Sequence, residues 1–181
     1  MELTHKEIIM KQKLIKFFAS GAFISYLPTA ILKNKKNTGA GLLGSFEAFL
    51  IYLILGPINV WSYLFFLIGI ILFAFYIAQK VDFDGVEDDP KIVIDEIAGF
   101  FVAVAFVPYS FKTALVALIL FRIFDTTKIL FIKKAESFAA KLPQEIRKKY
   151  CLKGVEIVLD DLLAGLYANI ILWTLILFKV L

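Results

Sequence analysis

Ile92-Val-Ile-Asp-Glu-Ile-Ala-Gly99 and Ile157-Val-Leu-Asp-Asp-Leu-Leu-Ala-Gly165 each place two adjacent acids about one turn inside an apolar run. In hydrocarbon an ionisable side chain costs several kcal/mol unless it is paired, hydrated or metal-bound, so both pairs are site hypotheses rather than surface decoration. Gly99 follows Asp95 by four residues and Gly165 follows Asp161 by four, which puts a small surface on the helical face that carries a carboxylate. Close helix approach is the expected consequence. The two stretches resemble each other as an internal repeat would, although two short segments do not establish one.

Outward from this pair, apolar runs occupy residues 14–32, 42–55, 61–78, 92–107, 112–132 and 157–178, and Pro57, Pro90, Pro108 and Pro143 fall at or beyond run ends. The 181-residue chain is 60% hydrophobic with a mean hydropathy of +0.82, which suits one domain embedded in lipid. Disorder, a disulfide scaffold and an ordinary cytosolic enzyme are poor readings. Cys151 is alone, so there is no internal disulfide, and His5 is alone, so no mechanism can use two histidines. The expected fold is an all-α integral membrane protein, a bundle of about five transmembrane helices. Residues 1–38 form an N-terminal cytoplasmic or interfacial segment and 39–181 the catalytic bundle. The run 14–32 contains Ser20, Gly21, Ser25 and Pro28, which fit an interfacial or re-entrant segment, with a plain spanning helix as the alternative. The run 42–55 is short for a span unless it borrows from Gly39 to Gly41.

Twenty basic against 16 acidic residues give a net charge of +4. No nucleic-acid partner is expected from it, because in a membrane chain this excess gathers on the cytoplasmic face. Under the five-span arrangement, 16 of the 20 Lys and Arg residues collect on one side, in the N-terminal tail, Lys33 to Lys36, the loop with Lys80 and Lys91, and the loop 133–153. Only Lys112 and Lys179 fall on the other. The crowded side is therefore assigned to the cytoplasm, and the cluster Arg147, Lys148, Lys149 and Lys153 there either attracts anionic headgroups or serves only as a topology signal.

The ionisable residues within apolar runs are Glu47, Asp95, Glu96, Arg122, Asp125, Lys128, Asp160 and Asp161. Their depths place the three acidic clusters just below the same cytoplasmic surface. Five carboxylates in one shallow layer repel one another unless a cation holds them. Oxygen-only ligands point to a hard ion such as Mg²⁺, shared with a substrate phosphate. Arg122, Asp125 and Lys128 recur every three residues on one drifting stripe, where the two cations can neutralise a phosphate. Acids acting only as helix caps are the bland alternative. Glu47 is either a sixth acidic participant or the partner of a nearby Lys, the latter slightly favoured.

Asp89-Pro-Lys-Ile-Val-Ile-Asp-Glu96, Phe121-Arg-Ile-Phe-Asp125 with Lys128, and Asp160-Asp161 with Ala164-Gly165 together resemble the ordered motifs of the bacterial phosphatidylglycerophosphatase A family. Gly41-Leu-Leu-Gly44-Ser45 is similar to that family's Pro-Gly-Thr-x-Gly-Ser stretch, with Ala40 in place of the Pro. The resemblance runs from about residue 40 to 170. It implies a multi-pass enzyme of the bacterial inner membrane that hydrolyses the terminal phosphomonoester of phosphatidylglycerophosphate with Mg²⁺, its site facing the cytoplasm. It further implies metal or catalytic roles for Asp95, Glu96, Asp125, Asp160 and Asp161, and substrate-binding roles for Arg122, Lys128 and Ser45. Within that set, Asp95, Asp125 and one of Asp160 or Asp161 are the expected metal ligands and Glu96 the candidate general base; an aspartyl-phosphate intermediate stays open beside direct attack by water. Lys128-Ile-Leu-Phe-Ile132 and Lys153-Gly-Val-Glu-Ile-Val158 depart from the family's Lys-Pro-x-Pro-Ile and Gly-Gly-x-Gly-Ile-Met stretches.

Asp82-Phe-Asp-Gly-Val86 imitates the first motif of haloacid dehalogenase-like phosphatases, but the loop has no room for the α/β domain which that chemistry needs. The rival readings are a CDP-alcohol phosphatidyltransferase, whose Asp-Gly-x-x-Ala-Arg arrangement is missing after Asp84-Gly85, and a small ion channel or transporter. The latter wants polar groups distributed through the membrane, and Phe100 to Phe106 and Ile170 to Leu177 carry no charge.

Overall fold

The structure is a computed structural model that describes residues 4–32, 39–83, 85–86, 89–127 and 152–181. Among these residues the architecture is helical: α1 His5–Ala19, a 3₁₀ turn Ile24–Tyr26, α2 Leu27–Leu32, α3 Ala40–Leu55, α4 Val60–Lys80, α5 Ile94–Ala103, α6 Phe111–Thr127 and α7 Leu152–Leu177. The only strand-like pairing described is an isolated bridge between Phe83 and Val86. The all-α expectation therefore holds. By length and composition one described helix, α4, is long and apolar enough to cross a membrane, and α3 is a shorter apolar helix of 16 residues that does borrow Ala40 and Gly41.

The run 14–32 is not one helix. A capping box between Thr4 and Glu7 starts α1, and α1 ends at Ser20, whose hydroxyl bonds back to the carbonyl of Lys16 at 2.7 Å. Gly21, Ala22 and Phe23 follow with positive φ before the 3₁₀ turn. A plain spanning helix is thereby excluded. The segment is tied into the bundle, because the Val93 N–H donates to the Ala19 carbonyl at 2.8 Å, satisfying one orphan group at each of two helix ends.

The larger correction concerns the run 92–107. A spanning helix is expected there, but α5 stops after ten residues, about 15 Å of rise against a hydrocarbon core of roughly 30 Å. Val104 to Phe106 turn, with Phe106 at φ +59°. The carbonyls released by this break are taken up from neighbouring helices. Asn169 Nδ2 on α7 donates to Ala103 O at 3.0 Å and Ala105 O at 2.9 Å, and Tyr63 Oη on α4 donates to Phe101 O at 2.6 Å. A broken helix deep in a bundle survives when protein supplies such partners.

α5 is the hub, packed against α7, α3, α4 and α6 and buried along nearly its whole length. Outward-facing positions are apolar too. Trp61, Phe65, Ile68, Leu72 and Tyr76 on α4, and Phe111, Leu115, Ile119 and Ile123 on α6, repeat every three or four residues and are exposed.

Candidate functional site

The acidic residues meet where α5 crosses α7. A Cβ on Gly165 would collide with the Gly99 carbonyl, and one on Gly99 would meet the Asp161 carbonyl at 2.6 Å. Two glycines thus let the backbones touch one level from the carboxylates, as the four-residue spacing predicts. Asp95, Glu96 and Asp161 each present a carboxylate oxygen, and these oxygens lie within 4.8 Å of one another. Asp95 and Asp161 are buried, at 8% and 5% exposure, and Asp95 Oδ1, Glu96 Oε2 and Asp161 Oδ1 have no hydrogen-bond partner. Buried polar atoms are ordinarily partnered, so three partnerless carboxylate oxygens on residues grouped this tightly fit a hard cation such as Mg²⁺.

Arg122 borders this cluster. Its Nη1 is 2.8 Å from Asp125 Oδ2 and donates to Ser45 Oγ at 3.0 Å, while Ser45 Oγ donates to the Gly41 carbonyl at 2.7 Å. The rest of the guanidinium fork has no protein acceptor among the described residues. A Cβ on Gly41 would collide with the Glu96 carboxylate and stand 3.2 Å from Arg122 Nη1. Glycine at 41 thus lets Glu96 and Arg122 approach each other over the start of α3.

The structure brings Asp95, Glu96 and Asp161 together, with Asp125 close enough to interact with both Glu96 and Asp161. Asp160 is half-buried and stands beside the cluster, interacting with Asp161 but contributing no oxygen to the tight group. Ser45 and Arg122 lie at the site; Lys128 falls outside the described residues, as do Asp84 and the cluster Arg147 to Lys149. Capping does not account for the second acidic pair, because α7 begins at Leu152, more than two turns before Asp160. Glu47 has no Lys partner among the described residues. Its carboxylate presses against Gly21, with Oε2 buried and without a partner.

Residues 17–176 match the sequence profile of phosphatidylglycerophosphatase A. The chain belongs to the phosphatidylglycerophosphatase A family. A Haemophilus influenzae protein named Phosphatidylglycerophosphatase A is 34% identical over 125 residues, 68% of this chain and 69% of that one. A Bacteroides thetaiotaomicron protein with the provisional name phosphatidylinositol-3-phosphatase is 31% identical over 109 residues, 57% of this chain. The match spans 60% of that relative's length. No solved structure matches the chain significantly. Asn169 and Tyr63, whose side chains hold the end of α5, lie outside the stretches that carry the resemblance and were not singled out from the sequence. An Asn in an apolar run was the available signal for the first; for a Tyr near a helix start there was none.

Proposed function

We propose that the chain is a Mg²⁺-dependent phosphatidylglycerophosphatase, converting phosphatidylglycerophosphate to phosphatidylglycerol and inorganic phosphate. The observation that carries this reading is the trio of orphaned oxygens from Asp95, Glu96 and Asp161 beside the open fork of Arg122. Family membership supports the lipid phosphomonoester as substrate. Asp95, Glu96 and Asp161 would hold Mg²⁺, which when bound supplies charge neutralisation for the phosphoryl group and a more acidic water. Arg122, aligned by Asp125 and Ser45, takes phosphate oxygens with its remaining donors. Glu96 also borders Arg122 at Gly41, and its carboxylate oxygen not engaged by the ion would accept the proton of the attacking water. The water oxygen bonds to phosphorus as the bond to the glycerol oxygen breaks, and the proton taken up by Glu96 passes to that oxygen, so that the lipid leaves as an alcohol.

The exposed apolar stripes on α4 and α6, and α1 with Lys6, Lys11 and Lys13 beside exposed Ile9, Met10 and Leu14, support a multi-pass protein of the bacterial inner membrane with α1 at the interface. The half-length α5 is buried among the spans, and the site faces the cytoplasm, where the positive charge gathers. The test is phosphate release from phosphatidylglycerophosphate in detergent micelles. Release that stops with chelator and returns with Mg²⁺ is expected. Metal-independent release, or ion flux in liposomes without phosphate release, would overturn the reading.

A further inference from the structure

α3 and α6 are antiparallel neighbours. At one end of the pair Ser45 Oγ accepts from Arg122 Nη1 at 3.0 Å; at the other the rings of Phe49 and Phe111 lie 5.8 Å apart and Tyr109 Oη donates to Leu53 O at 2.8 Å. One residue turns a helical side chain by ~100°. In an antiparallel pair the step from Ser45 to Phe46 and the step from Arg122 to Ile123 therefore turn both side chains to the same side of the pair. Leu42, Phe46 and Leu50 on α3 and Leu115, Ile119 and Ile123 on α6 are all exposed. Two apolar edges thus flank a groove whose floor is the α3–α6 seam and which ends at the Arg122 guanidinium. From Leu42 to Leu50 the α3 edge rises ~12 Å, close to the ~15 Å depth of one leaflet.

Neighbouring seams are closed more tightly. A Cβ on Gly165 of α7 would collide with the Gly99 carbonyl of α5, one on Gly44 of α3 would stand 2.6 Å from Val93 Cβ at the start of α5, and one on Gly154 of α7 would stand 2.5 Å from the Phe75 carbonyl of α4. Between α6 and α7 the rings of Phe124 and Tyr167 lie 6.0 Å apart. Beside the acids, by contrast, α3 and α6 are joined by the Ser45–Arg122 hydrogen bond, and Arg122 keeps 20% of its side chain exposed. We propose that the α3–α6 groove seats an acyl chain of the lipid substrate and is the side from which that lipid enters out of the bilayer, so that its phosphate meets Arg122 while the chain stays in its leaflet. Hydrocarbon gains little by passing from lipid to a groove of the same polarity, so the groove contributes route and orientation rather than affinity. The apolar stripe of α4 is comparably exposed but leads to Lys80 instead of the acids. The proposal rests on the phosphatase reading for its substrate, but seating the chain does not require turnover.

The test fills the groove. Ile119→Trp is compared with Ile68→Trp on α4, the two isoleucines being similarly exposed at 52% and 48%. Both variants are assayed on long-chain phosphatidylglycerophosphate in micelles and on its water-soluble dibutyryl form. The expected result is kcat/KM lowered by about tenfold in Ile119→Trp on the long-chain lipid alone, with Ile68→Trp, and Ile119→Ala, which leaves the groove open, close to wild type. Equal losses on the two chain lengths, equal losses at positions 68 and 119, or no loss at 119 would overturn it. A second measurement uses the wild-type protein in nanodiscs of zwitterionic lipid, with phosphatidylglycerol that carries a diazirine in its acyl chain. Photolabelling of α3 and α6 should be suppressed by added phosphatidylglycerol and not by an equal amount of zwitterionic lipid, whereas labelling of α4 should respond to both alike. The same response on all three helices would overturn the proposal, and this measurement decides should Ile119→Trp fail to accumulate. Selective labelling of the groove without phosphate release by wild type would sink the phosphatase reading and leave the groove standing; release with unselective labelling would do the reverse.

Discussion

Arg122 Nη1 is held by Asp125 and Ser45 together, which fixes the guanidinium beside Glu96. Arg122→Lys keeps the charge but loses the fork, so KM for the phosphomonoester should rise by about tenfold or more in steady-state assays. Ser45→Ala removes the hydrogen bond to Arg122, worth about 0.5–1.5 kcal/mol, together with the local one to the Gly41 carbonyl, so a smaller rise is expected. Asp160 and Asp161 separate more sharply. Asp161→Asn should lower kcat by about 100-fold or more while the variant still folds, whereas Asp160→Asn should cost about tenfold or less, because Asp160 offers no oxygen to the cluster. Equal losses in the two variants would refute the assignment of Asp161. The acids were legible in the sequence because ionisable groups in apolar runs stand out. Which of the adjacent pair points inward was not, since neighbours on a helix diverge by ~100° and only the partner helix decides between them.

At the scale of elements, the break in α5 shows where hydropathy stops being informative. Residues 97–107 are apolar throughout, and apolar composition records preference for a dry environment, not which carbonyls accept from which amides. Val104-Ala-Phe106 contains neither Gly nor Pro, so nothing local announces the turn. The turn depends on Asn169 and Tyr63, distant in sequence, which satisfy the freed carbonyls. Asn169→Leu should therefore leave two buried acceptors without partners, at a cost of about 1–3 kcal/mol each, read as a lowered thermal midpoint in detergent. Tyr63→Phe removes one donor and should cost less. Because Asn169 joins the end of α5 to α7, and these two helices carry Asp95 and Asp161, Asn169→Leu should also weaken Mg²⁺ activation in the phosphate-release assay. Full activity at unchanged Mg²⁺ requirement would show that the two acid-bearing helices keep their register without it. The Gly99–Gly165 crossing, by contrast, was readable from spacing, because a small residue four positions from an acid fixes the face on which backbones approach.

For the whole molecule, a membrane orientation connects the basic residues to the site. On the orientation proposed above, the acidic cluster lies on the side that collects 16 of the 20 basic residues, and the lipid phosphate would be met from the cytoplasm with its acyl chains still in the inner leaflet. Two positions test this. In the five-span arrangement Cys151, the single cysteine, would lie on the basic side and Lys112 on the opposite one. A membrane-impermeant thiol reagent applied to intact cells should leave Cys151 unmodified until the membrane is opened. The same reagent should modify the cysteine of K112C, made in a C151A background, without permeabilisation. Reversed labelling would put the acids on the outer face and detach the positive charge from the inner leaflet. Labelling of both from outside would mean that α6 does not cross at all, despite the apolar stripe of Phe111, Leu115, Ile119 and Ile123 that it turns outward. That stripe has little reason to face water in a protein already 60% hydrophobic, so protection of Cys151 with exposure of the engineered cysteine is the outcome required if α6 carries Arg122 and Asp125 to the inner surface at the end of a full crossing.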